Sequence, residues 1–125
     1  MKMAHTCVRV KDLEASIEFY EKGFGFEISR RREFPDNKFT LVYMTLPGDD
    51  YEIELTYNYD HEAYDLGNGF GHIAIATDDL EGLHAKHSEM GLDVTPLKNL
   101  PGVPPSYYFV MDPDGYKVEI VRFKK

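Results

Sequence analysis

Two stretches of this chain repeat one another, so any fold it adopts has to be built twice. His5-Thr6-Cys7-Val8-Arg9-Val10 leads to Asp12-Leu13-Glu14, and His72-Ile73-Ala74-Ile75-Ala76-Thr77 leads to Asp79-Leu80-Glu81. The two histidines stand 67 positions apart, and so do the two acidic triplets. Later in each copy, Tyr51-Glu52-Ile53-Glu54-Leu55 is matched by Tyr116-Lys117-Val118-Glu119-Ile120, with Glu54 and Glu119 separated by 65 positions. Self-similarity at a fixed period is the signature of repeated supersecondary units.

The unit itself can be read from hydrophobic periodicity. Residues 4–10 alternate and are rich in β-branched side chains, which predicts a strand. Asp12 is a good N-cap for a helix over 13–23, with Leu13, Ile17 and Tyr20 on one face and Gly23 and Gly25 as stops. Strands are predicted near 26–32, 38–46 and 51–57, separated by Pro35-Asp36-Asn37 and Pro47-Gly48-Asp49-Asp50. The second copy repeats this order. It has a strand at 71–77, then a helix at 80–90 capped by Asp79, with Leu80, Leu83 and Met90 inward and Gly91 at its end. Strands follow near 92–96, 106–111 and 116–123, with Asp112-Pro113-Asp114-Gly115 as the last turn. The expected fold is α+β, two tandem β-α-β-β-β modules. The first module spans 1–58, the linker 59–69 and the second module 70–125, together making one domain.

Strand alternation decides where the repeated polar residues point. His5, Cys7 and Arg9 share one face of the first strand. Glu52, Glu54 and Thr56 lie opposite Ile53, Leu55 and Tyr57. Glu119 sits between Val118 and Ile120, which have to face a core, and His72 shares its face with the small Ala74 and Ala76. Each module therefore turns one histidine and one glutamate away from its helix-packed face. A His₂Glu₂ set suits a borderline divalent ion such as Ni²⁺, Co²⁺, Zn²⁺, Mn²⁺ or Fe²⁺. An octahedral ion so held keeps two positions open, as a catalytic metal requires.

Composition removes several other functions. A net charge of −8 argues against a nucleic-acid partner, because phosphate binding needs a basic surface. Arg30-Arg31-Arg32 is the one basic cluster and reads as a solvated strand face. No apolar run approaches the roughly 18 residues of a membrane span. No basic-then-apolar leader opens the chain, so a cytoplasmic protein is expected. Cys7 is the only cysteine, which suits a reducing compartment and reads mainly as packing. His61, His84 and His87 read as surface or helix-face residues. The motifs of serine hydrolases, phosphate-binding loops and dithiol sites are missing.

Several phrases together resemble a known family. They are His5-Thr6 with Val8-Arg9-Val10, Ile53-Glu54-Leu55-Thr56-Tyr57-Asn58, Tyr64-Asp65-Leu66-Gly67, Gly71-His72-Ile73-Ala74 and Asp112-Pro113-Asp114-Gly115-Tyr116-Lys117. They resemble the glyoxalase I family in its short bacterial form, within the vicinal oxygen chelate superfamily. The likeness covers nearly the whole chain.

The resemblance implies a metal held at His5, Glu54, His72 and Glu119, most often Ni²⁺ or Co²⁺, with Zn²⁺ bound but less active. It also implies a homodimer with sites at the interface, and substrate contacts at Arg9 and Asn58. The implied reaction isomerises the methylglyoxal–glutathione hemithioacetal to S-D-lactoylglutathione through an enediolate. Glu119 is then the expected main base, with Glu54 as its counterpart for the other enantiomer. Family members commonly supply basic side chains from two loops, which here read Asn68-Gly69-Phe70 and Pro101-Gly102-Val103-Pro104-Pro105. Neither holds Lys or Arg, and Lys98 is the nearest, so another low-molecular-weight thiol stays open. The competing readings are a fosfomycin thiol transferase, an extradiol dioxygenase and a drug-sequestering binding protein.

Overall fold

The computed structural model describes residues 1–104 and 106–123. Pro105 in the second loop, and residues 124 and 125 of the second module, lie outside the described residues. The chain divides into two compact units, Met1–Asp65 and the residues from Leu66 onward, and this division falls inside the segment read as a linker. Each unit is described by itself.

In the first unit, β1 (His5–Arg9) leads into α1 (Leu13–Phe24), followed by β2 (Glu27–Phe34), a 3₁₀ turn (Pro35–Asn37), β3 (Phe39–Thr45) and β4 (Glu52–Asn58). The sheet order is β1-β4-β3-β2. β1 runs parallel to β4, the other pairs are antiparallel, and α1 provides the crossover that a parallel pair needs. Asp12 caps α1 by accepting from the Ala15 N–H at 3.1 Å, an interaction worth about 1 kcal/mol. The helix runs through Gly23 and stops at Gly25, whose φ of 81° is left-handed and open to glycine without strain. Leu13, Ile17 and Tyr20 pack inward, as their spacing predicts, against Val8, Val42, Met44, Ile53 and Leu55. Each fully buried aliphatic side chain of this set contributes about 1.5–3 kcal/mol.

In the second unit, β5 (Ile73–Thr77) leads into α2 (Leu80–Glu89), then β6 (Tyr107–Met111) and β7 (Lys117–Arg122), in the sheet order β5-β7-β6. Asp79 caps α2 by accepting from the Gly82 N–H at 3.0 Å. Asp112 organises the last turn, its Oδ1 accepting from the N–H groups of Asp114 and Tyr116 at 2.9 Å each.

Three expectations for the second unit need correction. Residues 92–96 are not a regular strand. They run beside β6 through isolated bridges, Val94 to Val110 and Lys98 to Tyr107. Four positions on one side face three on the other, and Pro96, which has no N–H to donate, lies in the slipped stretch. Met90 is not inward but 39% exposed. The inward position belongs to His87, which is fully buried and therefore not a surface residue. Its Nδ1 lies 2.9 Å from the Tyr108 hydroxyl, so two buried polar groups satisfy each other. His84 is half-buried, its Nε2 3.0 Å from the Thr95 carbonyl and its ring edge-on to Tyr108. His61 is exposed and stacks on Tyr64 at 4.0 Å.

Candidate metal centre

The face of each sheet turned away from its helix carries the repeated polar residues. In the first unit, Val8, Ile53 and Leu55 are buried on the helix side, which by alternation sends His5, Cys7, Glu54 and Thr56 to the other side. His5 Nε2 lies 3.1 Å from Glu54 Oε2. In the second unit, Val118 and Ile120 are completely buried and Glu119 between them faces outward. His72, just ahead of β5, places its Nε2 3.3 Å from Glu119 Oε1. The two units therefore hold equivalent imidazole–carboxylate pairs.

The donor set and its spacing fit a divalent ion. Two ligands at about 2.1 Å and at right angles on one octahedral ion are about 3 Å apart. Both observed separations are near that value. The histidine side chains are 38% and 39% exposed, so an incoming ion reaches them, while Glu54 and Glu119 are 13% and 21% exposed. Among the described residues no group of three or more such side chains converges. Each unit presents one such pair.

The surroundings of the pairs are defined on both sides. Thr56 Oγ1 donates to Glu54 Oε1 at 2.8 Å, Cys7 Sγ lies 3.2 Å from that hydroxyl, and the Tyr43 phenol hydrogen-bonds the same carboxylate. Burial works against the Glu54 charge, but the bonds from Tyr43, Thr56 and Cys7, helped by His5, win and hold its carboxyl below the usual range. Burial first, and the Glu54 carboxylate second, push the Tyr43 phenol up, so it remains a protonated donor at neutral pH. Cys7 is exposed and tied to Thr56, which replaces the expected packing role. Its thiol is raised, chiefly by desolvation, against the opposing bond from Thr56.

Several neighbours escaped the sequence reading. Arg30 is not merely a solvated cation. Its guanidinium lies 3.8 Å over the Tyr43 ring and bonds Glu52 at 3.4 Å. Arg31, on the opposite face, reaches Glu14 and Glu33. Lys117 shares the Glu119 face of β7 and lines a cavity of about 350 Å³ with Asn68, Phe70, His72 and Phe109. Cross-strand register, which periodicity does not encode, is what brings these groups to the pairs. Arg9 sits opposite Thr56 in the β1–β4 ladder. Asn58, two positions past Thr56 on the same face, donates to the Tyr64 hydroxyl at 3.0 Å.

Comparison with known proteins finds relatives over nearly the whole chain. Residues 2–120 match the Glyoxalase/Bleomycin resistance protein/Dioxygenase superfamily. A lactoylglutathione lyase of Neisseria meningitidis is 39% identical over 131 residues, covering 99% of this chain and 92% of that protein. A probable lactoylglutathione lyase of Synechocystis is 38% identical over 128 residues, covering 98% and 95%. Among solved structures, the trypanothione-dependent glyoxalase I of Leishmania major superposes with a TM-score of 0.87 at 33% identity, covering 98% of this chain and 86% of that one. Glyoxalase I from Zea mays gives 0.89 at 35% identity, and the present chain spans 45% of its length. At this identity, over nearly its whole length, the chain belongs to the glyoxalase superfamily and, within it, to the lactoylglutathione lyase family.

Proposed function

We propose that this protein is a lactoylglutathione lyase, a carbon–sulfur lyase that isomerises the methylglyoxal–glutathione hemithioacetal and so detoxifies methylglyoxal. The observation that carries the reading is the duplicated His–Glu pair, 3.1 Å apart in one unit and 3.3 Å in the other. Full-length similarity to lactoylglutathione lyases supports it.

His5, Glu54, His72 and Glu119 are the proposed metal ligands. A bound divalent ion supplies Lewis-acid stabilisation of negative charge on substrate oxygens. Glu119 removes the proton from the carbon that bears sulfur and returns one to the neighbouring carbon. Glu54 serves the opposite enantiomer. Arg9 and Asn58 hold the polar arms of the thiol conjugate, and Lys117 adds the cation that the loops lack. Two nitrogens and two carboxylates form a borderline donor set, and Ni²⁺ or Co²⁺ is the proposed working ion.

Each unit offers only a pair, and on our reading two copies of the chain pool their pairs in a homodimer. The proposed location is the cytoplasm, whose reducing conditions suit a single cysteine and a thiol co-substrate. Among the described residues no helix is long and apolar enough to cross a membrane.

The test is isomerase turnover of chelator-stripped protein on methylglyoxal plus glutathione, with Ni²⁺, Co²⁺ and Zn²⁺ returned separately. Rescue by Ni²⁺ or Co²⁺ is the expected result. Stoichiometric metal binding without turnover would exclude glutathione as the thiol.

A further inference from the structure

The two His–Glu pairs match in register but differ in every side chain around the carboxylate. Glu54 faces Cys7 across the β1–β4 ladder and Tyr43 across the β3–β4 ladder. Glu119 faces Ala74 across the β5–β7 ladder and Phe109 across the β6–β7 ladder. Two positions further along their own strands stand Thr56 and Val121. The three neighbours of Glu54 therefore all carry a hydrogen-bonding group, whereas Ala74, Phe109 and Val121 carry none.

The aromatic pair makes the contrast sharpest. His5 meets the Tyr43 ring edge-on at 5.6 Å, and His72 meets Phe109 edge-on at 5.2 Å. The packing is preserved and only the hydroxyl differs. Arg30, stacked over Tyr43, steadies that ring further. Both oxygens of Glu54 are engaged, Oε1 by Thr56 and Oε2 by His5. Glu119 instead borders a cavity of about 650 Å³, lined also by Leu100, Tyr107, Phe109 and Val121.

We infer that Thr56 and Tyr43, with Cys7 bonded behind Thr56, are positioning residues that orient the Glu54 carboxylate toward the ion, a set of donors that the neighbours of Glu119 do not repeat. This rests on the metal reading of the two pairs. Groups that orient a metal-ligating carboxylate act on metal affinity as well as on turnover, typically by 10–100-fold when removed.

The experiment is a competition titration of Ni²⁺ into chelator-stripped protein, with kcat and KM measured on the reloaded enzyme. Thr56→Val and Tyr43→Phe should each weaken Ni²⁺ binding by roughly 10–100-fold, and Thr56→Ser, which keeps the hydroxyl, should recover most of the loss. Native affinity in Thr56→Val, or a Thr56→Ser variant as weak as Thr56→Val, overturns the positioning role while leaving the metal reading intact. A wild-type protein that binds no divalent ion overturns that reading, and this inference with it.

Discussion

His72 Nε2 and Glu119 Oε1 lie 3.3 Å apart, although 47 positions separate the two residues in the chain. The contact exists because β5 and β7 run side by side with Ala74 opposite Glu119. Losing either partner should have different effects. His72→Ala removes a proposed ligand, so bound Ni²⁺ should fall well below one per site in an equilibrium titration. Glu119→Gln retains the shape and loses the proposed base, and kcat should drop by about 10²–10⁴-fold in the same isomerase assay.

Lys117 lines the same cavity as His72 in the second unit. On the proposed function, a lysine there pairs with an anionic arm of the substrate equally in ground and transition states. Lys117→Ala should raise KM by about tenfold and leave kcat unchanged. Equal KM values for wild type and variant in initial-rate measurements would remove Lys117 from the site.

Tyr108 and His87 form a hydrogen bond in a fully buried setting. Tyr108→Phe removes one bond from a group that has no access to water. The loss should be about 1 kcal/mol, or roughly 4 °C in Tm by thermal melt, with unchanged Ni²⁺ affinity.

Cys7 sits on the same face as His5 and Glu54, with its thiol raised chiefly by partial desolvation. The reactive species is the thiolate, which is favoured as pH rises through the thiol pKa. In chelator-stripped protein the pH dependence of iodoacetamide alkylation should have its midpoint above the usual thiol range. Removing the desolvating fold with urea should return the midpoint to that range.

Much of the architecture was readable in one dimension. The 67-residue repeat, the Asp12 and Asp79 caps and the period-two pattern around Glu54 and Glu119 all lie within short windows of chain. Local rules of helix capping and strand alternation act on such windows, and the structure follows them. The same alternation was enough to place one histidine and one glutamate on the outer face of each sheet.

What the tertiary structure alone decided concerns neighbours across strands and between layers. Helix periodicity offered Met90 for the core, but the space against β6 took His87, because Tyr108 gave its ring nitrogen a partner. The interval 92–96 looked like a strand until the slipped pairing with β6 around Pro96 set its limits. Arg30 keeps the solvated strand face that its sequence suggests, and β2–β3 register adds its place over Tyr43. The sequence by itself determined that two carboxylates would face outward at equivalent places. Only the packed sheets determined that Glu54 is ringed by Tyr43, Thr56 and Cys7 while Glu119 is ringed by Phe109, Val121 and Ala74, since those neighbours come from ladder register rather than from chain order.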